Sequence, residues 1–172
     1  MLIHLPEFKT TLVHAGVMPQ WTLSTAQKKA QQVEYILQSD DWSSFTRQHL
    51  YGNQPTEWSK NLSDMEAWRY IVNTFARMRL CGTNGELEFK HKLGMTDYPK
   101  GFKPWFKYAR KDDSFGRILF GHWSTLGTGE INHTLCLDTG CLWGGTLSAL
   151  QLENNQLTTI SCPTYITPES CR

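Results

Sequence analysis

The segment Thr11–Gly16 reads TLVHAG, a short apolar run that ends in a histidine and, two residues later, a glycine. Residues 2–5 and 10–14 have the pattern of two short strands, and residues 6–9 form the turn between them. Strand ends are rigid, and functional groups often gather in the loops that follow them. His14 is therefore the first candidate functional residue, because the neighbouring glycine permits close approach of a ligand or another backbone segment.

The composition is that of an ordinary globular protein. The 172 residues are 40% hydrophobic and 19% charged, and the formal net charge is +1. Such a balance argues against sequence-independent binding of nucleic acid, which needs an excess of basic residues. The amino-terminal residues do not have the pattern of a signal peptide, and no apolar run approaches the length of a membrane span.

The five cysteines predict neither a disulfide framework nor a zinc site, because no two of them have CxxC spacing. A reducing compartment is the simpler interpretation, so we expect a cytoplasmic protein. The seven tryptophans are better explained by core packing than by stacking on a nucleotide base, but either role is open.

After Gly16 the pattern changes from strands to helices. Apolar residues recur at helical spacing over 25–38, preceded by a capping-box signature at Ser24 and Gln27. Asp41 is placed to cap a second, short helix.

The third helix has the strongest pattern in the chain. Ser63 and Glu66 form another capping box, and Gly82 is a stop signal, so a helix is predicted to about residue 80. Its buried face is marked by Trp68, Ile71, Val72, Phe75 and Met78.

Beyond the third helix the chain is mostly β. Strands are predicted over 86–89, 117–120, 133–137, 146–152 and 157–160, with an irregular stretch over 91–116 and a frayed tail from Ser161. The organisation is a helical insertion over 17–82, carboxyl-terminal strands over 83–160 and a tail over 161–172. Helices confined to one block indicate an α+β arrangement in which they cover one end of a sheet.

Two further strand ends carry a polar group beside glycine, at Gly121-His122 and at Asp138-Thr139-Gly140. Histidine is the commonest metal ligand and a common acid or base, so His14 and His122 could share one site. Each of them taken alone is more readily interpreted as a hydrogen-bonded structural histidine.

The third helix also has a polar stripe. Arg69, Asn73 and Arg77 follow one another at intervals of four residues, and Arg79 lies just off the same line. Guanidinium groups suit phosphate because they bind bidentately and stay charged. A solvated face that pairs with surface acids is the alternative.

The loop KGFKPWFKYARK, residues 100–111, alternates basic and aromatic side chains. Lys100, Lys103 and Lys107 could bind phosphate while the aromatic rings stack on a base. A loop held to the core by its aromatic residues is the slightly preferred interpretation.

Several motifs occur together and in order: VHAGVMPQW, YGNQPTEW, VNTFARMRLC, KPWF, FGHWSTL and LDTGCLWGGTLSAL. Together they resemble the symmetrical bis(5′-nucleosyl)-tetraphosphatases, the bacterial diadenosine tetraphosphatases of the calcineurin-like metallophosphoesterase superfamily. The resemblance covers roughly residues 1–155. It implies a metallophosphoesterase β-sandwich with a helical cap insertion.

The resemblance also implies a reaction, in which a water activated by a pair of divalent metals, manganese or cobalt, cuts diadenosine tetraphosphate into two ADP. His14 and His122 match metal ligands of the family. Asp138 matches the LDTG motif, for which we expect a supporting role without metal ligation.

The family's upstream motifs GDxHG, GDxxxRG and GNHD or GNHE do not occur in this sequence. They supply the other metal ligands and the general acid, so the chain resembles the carboxyl-terminal part of such an enzyme, and no catalytic residue is assigned within it. Two histidines cannot hold a pair of divalent cations, and the missing half would leave sheet edges and an apolar face uncovered.

Three hypotheses follow. The first is a part of a diadenosine tetraphosphate hydrolase, with little or no activity alone. The second is a non-catalytic fragment that binds nucleotides or complements a separately encoded amino-terminal half. The third, weaker one is the remnant of a protein phosphatase.

Overall fold

A computed structural model describes residues 1–166 of the chain. Within these residues there are three α-helices and eleven strands, arranged in three sheets. The helices are α1 (Leu23–Gln38), α2 (Trp42–Phe45) and α3 (Asp64–Arg77). The strands are β1 (Leu2–Leu5), β2 (Thr10–Val13), β3 (Leu80–Gly82), β4 (Leu87–Glu88), β5 (Phe102–Pro104), β6 (Arg117–Phe120), β7 (Glu130–Ile131), β8 (Thr134–Cys136), β9 (Asp138–Thr139), β10 (Thr146–Gln151) and β11 (Gln156–Ser161). The predicted mixed architecture, with the helices in one block of the chain, is confirmed.

The largest sheet has five strands in the order β1-β2-β6-β8-β7. Strands β2, β6 and β8 run parallel, while β1 and β7 pair antiparallel at the two edges. Parallel strands end at the same side of a sheet, so the residues after β2 and after β6 become neighbours. A hydrogen bond of 2.7 Å from the Gly121 amide to the His14 carbonyl joins these two strand ends.

The main core lies between one face of this sheet and the helices. Val13, Ile118, Phe120 and Cys136 point into it from β2, β6 and β8, and all are buried. From α3 the side chain of Phe75, which is fully buried, enters the same cluster. The face of α3 predicted from its apolar spacing is therefore the face that packs.

The two ends of α3 differ in how well the sequence predicted them. At the beginning, Ser63 and Glu66 form the predicted capping box. At the end, the prediction of a helix to about residue 80 with Gly82 as its stop is wrong. The helix ends at Arg77, because Leu80–Gly82 are used as strand β3, which pairs with β4 and β5 on its two sides.

The start of α1 also differs from the prediction. Thr22 is the capping residue, and its hydroxyl accepts a hydrogen bond from the Thr25 amide at 3.1 Å. Ser24 lies inside the helix instead of at its cap. The hydroxyl of Thr22 therefore caps the helix, in place of the hydroxyl of Ser24 that the sequence pattern predicted.

The hairpin of β10 and β11 is confirmed, and with β9 it forms an antiparallel sheet of three strands. The residues after β11 are not a frayed tail as far as the structure describes them. Cys162 forms a disulfide with Cys141, and Thr164 forms a β-bridge with Trp143. Pro168 and Cys171, also assigned to that tail, lie outside the described residues.

The disulfide corrects the prediction that the cysteines form no cross-link. The spacing rule failed because Cys141 and Cys162 are brought together by the antiparallel hairpin between them, which CxxC spacing does not detect. The cytoplasmic location stays a prediction, without the part of its argument that relied on free thiols. None of the helices formed by residues 1–166 is long and apolar enough to cross a lipid bilayer.

Candidate active site

The two strand-end histidines lie side by side. The ring centroids of His14 and His122 are 5.3 Å apart, with the rings tilted by 52°. His14 is exposed and His122 is half-buried. The parallel pairing of β2 with β6 produces this juxtaposition, so two histidines that are distant in sequence become one group in space.

His122 carries a ring nitrogen that has no hydrogen-bond partner within residues 1–166. Its Nε2 is buried, and its backbone has a φ of +67°, a left-handed value that is uncommon for a residue with a side chain. Burial, the nearby charge of Arg79 and His14 lower the pKa of His122 to about 4. The imidazole is therefore neutral at neutral pH, the form in which histidine binds a metal.

Gly16 shows why the residue after His14-Ala15 is small. A Cβ atom at Gly16 would lie 2.7 Å from Nε1 of Trp105, closer than packing permits. Trp105 is itself buried against Phe120 of β6. The glycine thus lets the loop after β2 pass directly over the core.

Asp138 opens strand β9 and lines the same cavity as the two histidines, which we call the site cavity. Its carboxylate accepts a hydrogen bond of 3.1 Å from the Gly140 amide, which organises the LDTG turn. The site cavity has a volume of about 410 Å³. It is lined by Leu12, Val13, His14, Leu119, Phe120, Gly121, His122, Leu137, Asp138, Thr139, Cys141, Thr146 and Leu147.

Among the four residues predicted to bind substrate, Arg79 donates a side-chain hydrogen bond to the backbone of His122. Its Nη2 donates to the carbonyl of His122 at 3.3 Å, and its buried Nε has no partner in the described part of the chain. Burial lowers the pKa of Arg79, and the charge of Asp138 opposes that shift. A guanidinium with a free donor beside two histidines is suited to an anionic ligand.

The other three predicted residues, Arg69, Asn73 and Arg77, hold the loop over residues 49–54. Arg69 donates to the carbonyls of His49 and Gln54. Asn73, only 1% exposed, donates to the Gly52 carbonyl at 3.0 Å. The stripe is therefore not a solvated face, the alternative considered from the sequence.

Arg77 is the third residue that holds the loop over residues 49–54. Its two terminal nitrogens donate to the Gly52 carbonyl at 3.1 Å and to Oδ1 of Asn53 at 2.9 Å, while the guanidinium lies 4.6 Å from the centre of the Phe89 ring. Both terminal nitrogens of Arg77 are therefore already in hydrogen bonds within the protein.

The KGFKPWFK loop follows the preferred structural interpretation. Trp105 and Phe106 are 1% and 2% exposed and pack on Phe120, so neither ring is free to stack on a base. Lys103 lies over the ring of Tyr108 at 4.0 Å.

Cys141 and Leu147 are among the residues of the site cavity that were not identified from the sequence as part of a site. Cys141 directly follows the LDTG motif, and that position was the available signal. Leu147 has no sequence signal beyond its place in a strand, because an apolar residue in a strand is the ordinary case.

Two side chains among the described residues fit the chemistry of metal ligands. The buried, unpartnered Nε2 of His122 and the adjacent His14 ring fit as two nitrogen ligands. Within residues 1–166, however, no three His, Cys, Asp or Glu side chains are grouped closely enough to hold a metal ion. A divalent cation of the manganese type needs more ligands than this pair supplies.

Comparison with solved structures identifies the class of fold. The chain matches a crystal structure provisionally assigned as a diadenosine tetraphosphatase with a TM-score of 0.52, 18% sequence identity, 94% of this chain and 50% of that one. At this identity the likeness establishes the fold alone. No protein-family model matches the chain.

Comparison with curated proteins identifies the relatives. The chain is 38% identical over 169 residues to a symmetrical bis(5′-nucleosyl)-tetraphosphatase of Pseudomonas entomophila, covering 97% of this chain and 59% of the relative. It is 43% identical over 158 residues to the protein of the same name from Dechloromonas aromatica, covering 91% and 57%. The resemblance found in the motifs is confirmed: the chain is homologous to the symmetrical bis(5′-nucleosyl)-tetraphosphatases.

The match is unequal in length. It takes in nearly all of this chain but less than two-thirds of either relative. The comparison therefore relates this chain to one part of those hydrolases.

Proposed function

We propose that the chain forms part of an enzyme that hydrolyses diadenosine tetraphosphate to two ADP. The observation that carries the proposal is the pairing of His14 with His122 at adjacent strand ends, with the Nε2 of His122 left without a partner. The homology to proteins named for this activity supports it. In the same proposal, the fold is one part of a metallophosphoesterase β-sandwich in which residues 17–82 form a cap.

In this proposal His14 and His122 would be ligands of a pair of divalent metals, manganese or cobalt. When bound, such metals lower the pKa of a water molecule and neutralise charge on the phosphate under attack. Arg79 contributes a positive charge beside that position, because its guanidinium donates a hydrogen bond to the His122 carbonyl. Asp138 orders the loop that borders the cavity and balances the charge of Arg79.

Arg69, Asn73 and Arg77 have a different proposed part in substrate binding. They shape the loop over 49–54 and act through it, because each of them donates a hydrogen bond to a backbone carbonyl of that loop. A bound dinucleotide would therefore contact this loop, and the three side chains would affect binding through the loop's conformation.

The remaining ligands would come from a polypeptide segment outside residues 1–172, either joined to this chain or separately encoded. We therefore expect the 172-residue chain by itself to have little or no activity. We propose the cytoplasm as its location.

The decisive assay measures ADP release from diadenosine tetraphosphate with Mn²⁺, using the chain alone and the chain fused to the unmatched part of the Pseudomonas entomophila relative. The fusion should release two ADP per substrate, and the chain alone should not. His122→Ala in the fusion should abolish turnover, while His133→Ala, an exposed histidine that does not line the site cavity, should not.

A full rate from the chain alone would contradict the proposed division of ligands. Unequal products, such as ATP with AMP, would contradict the symmetrical reaction. If no turnover occurs in any form but a non-hydrolysable dinucleotide binds, and Arg79→Ala weakens that binding, the non-catalytic hypothesis replaces this one.

A further inference from the structure

An exposed aromatic ring lies on the loop over 49–54. The side chain of Tyr51 is 76% exposed, although aromatic rings usually bury their apolar area in a core or an interface. Gly52, the next residue, has a φ of +133°, a value that residues with a side chain rarely adopt. The backbone therefore turns sharply directly after Tyr51, and the ring lies at this turn, open to a ligand.

The backbone that carries this ring is fixed on both sides of it. Side chains of α3 donate hydrogen bonds to the carbonyls of His49, Gly52 and Gln54, which lie before and after Tyr51 in the chain. A ring on a backbone that is already ordered loses little conformational entropy when a ligand packs on it. Tyr51 is therefore preorganised for a planar ligand.

The same helix connects this loop to the histidine pair. Next to the pair, the Ala15 amide donates a hydrogen bond of 2.7 Å to the carbonyl of Phe75 in α3. Two residues further on, Arg77 is the last residue of α3, and its guanidinium donates to the Gly52 carbonyl at 3.1 Å. One arginine side chain therefore spans from the helix end beside the candidate active site to the turn beside Tyr51.

We propose that the ring of Tyr51 stacks on one adenine base of the dinucleotide substrate. This inference rests on the proposed function and identifies the residue that recognises the base. When a tetraphosphate bridge is cut at its middle bond, two phosphate groups and a ribose separate that bond from each base. A residue that recognises the base must therefore lie at a distance from the histidine pair while being held in a fixed position relative to it, and Tyr51 meets both conditions.

The chemistry of the turn favours a base over a phosphate group. Every nucleobase has a flat π-face, and stacking on an aromatic side chain is a general way to bind it. A phosphate group would instead need a cation with free donors. The guanidinium of Arg77 already donates to Gly52 and Asn53 of this loop from both terminal nitrogens.

Two other exposed rings differ from Tyr51 in their surroundings. The ring of Trp58 has the Lys29 ammonium 3.2 Å from its centre, so one of its faces is already occupied. Tyr35 is 78% exposed, but it belongs to α1 and lines a cavity between α1 and α3. Tyr35 is therefore a control with nearly the same exposure and the same chemistry at another place on the surface.

The first measurement is of binding and needs no hydrolysis. Calorimetry titrates the full chain with a non-hydrolysable analogue of diadenosine tetraphosphate. Tyr51→Ala should weaken binding by about tenfold, within the range expected for the loss of one base stack. Tyr51→Phe keeps the ring and should bind as the natural protein does, and so should Tyr35→Ala. Both tyrosines are exposed, so the variants should keep the fold.

The second measurement separates the base from the phosphates. Tripolyphosphate carries the charge without a base, and its affinity should be the same for the natural chain and all three variants. In the fusion described above, Tyr51→Ala should raise KM by about tenfold and leave kcat nearly unchanged, because a remote stack is equally strong in the bound substrate and in the transition state.

Unchanged dinucleotide binding in Tyr51→Ala would overturn the proposal. An equal loss in Tyr51→Phe would also overturn it, because the hydroxyl would then make the contact. A matching loss of tripolyphosphate affinity would do the same, because the loop itself would then have changed. If the chain alone binds no dinucleotide, the KM of the fusion decides.

The two proposals of this article can fail separately. Binding that depends on Tyr51 without any ADP release would leave this inference standing and contradict the proposed function alone. ADP release by the fusion with an unchanged KM in Tyr51→Ala would contradict this inference alone.

Discussion

The two sides of the five-stranded sheet differ sharply in how they are completed. On the helix side, Ile118 of β6 and Phe75 of α3 meet in a core where both are fully buried. On the hairpin side, Leu147 and Ile160 are more than half exposed although they lie in regular strands. On the helix side, residues of this chain bury the apolar side chains of the sheet. On the hairpin side, local hydrogen bonds and a disulfide stabilise the strands while these apolar side chains stay exposed. Regular secondary structure therefore does not show whether the apolar side chains of a surface are buried.

The largest expected difference is between Phe75→Ala and Ile160→Ala. Removing the buried ring should lower the free energy of unfolding by about 3–5 kcal/mol, because a cavity remains in a packed core. Removing the exposed Ile160 side chain from the chain alone should change it by no more than about 0.5 kcal/mol. Urea denaturation of both variants checks this, and equal losses would mean that the hairpin side is packed as tightly as the helix side.

The disulfide should matter next. In the chain-entropy model a cross-link that closes a loop of this size stabilises the folded state by about 3 kcal/mol, and Cys141 and Cys162 are 21 residues apart. Cys141→Ser with Cys162→Ser should therefore speed hydrogen exchange in β10 and β11 while leaving α3 unchanged. Cys81→Ser, at a buried free cysteine, is the contrasting variant and should affect the helix side. Exchange in the hairpin that is the same with and without the cross-link would refute this account.

The capping box of α3 should have a smaller effect. Ser63→Ala removes the hydroxyl that caps the Glu66 amide and should cost about 1 kcal/mol in thermal or urea denaturation. Ser24→Ala should cost less, since Ser24 lies inside α1 and Thr22 is the cap. A larger loss from Ser24→Ala would show that α1 begins where the sequence pattern placed it.

A further expected effect, confined to alkaline pH, is a change of stability with pH due to Lys29. Burial of this lysine, whose ammonium lies 3.2 Å from the centre of the Trp58 ring, lowers its pKa to about 8 from 10.5. The unfolded chain then binds more protons, so this residue makes stability rise between pH 8 and pH 10.5.

Lys29→Met should remove that contribution, and the difference in unfolding free energy between the variant and the natural protein should change with pH across this window. Lys28→Met serves as the control for loss of one positive charge nearby. A difference that stays constant from pH 8 to pH 10 would contradict the buried setting of Lys29.

The sequence predicted those parts of the fold that depend on local chemistry. The two strands that precede His14, the packed face of α3 and its cap, and the terminal hairpin follow from short patterns, and all are confirmed. The end of α3 was missed because residues 80–82 pair with β4 and β5, one of which lies some twenty residues away, and helical spacing carries no information about such pairing.

Only part of the candidate site could be predicted from the sequence. The glycine near each of His14 and His122 at a strand end was a weak signal, and the family resemblance made them candidate metal ligands. The structure places their ring centroids 5.3 Å apart. The role of Asn73 was not predictable from its spacing, because a polar residue on a helix is usually exposed and this one is buried against a loop. The cross-link was missed for a similar reason, since it depends on the geometry of a hairpin.

The parallel pairing of β2 with β6 has a consequence for how the chain folds. It joins distant segments, as the hydrogen bond from Thr11 to the Phe115 carbonyl shows across 104 residues. Contacts of such high sequence separation form slowly, because the entropy cost of closing a long loop comes before the contacts can stabilise the fold. The contacts within α3 and within the β10–β11 hairpin are local and close short loops. In a refolding experiment, helical signal should return before the two imidazoles become neighbours, so the site is assembled by the slowest part of the fold.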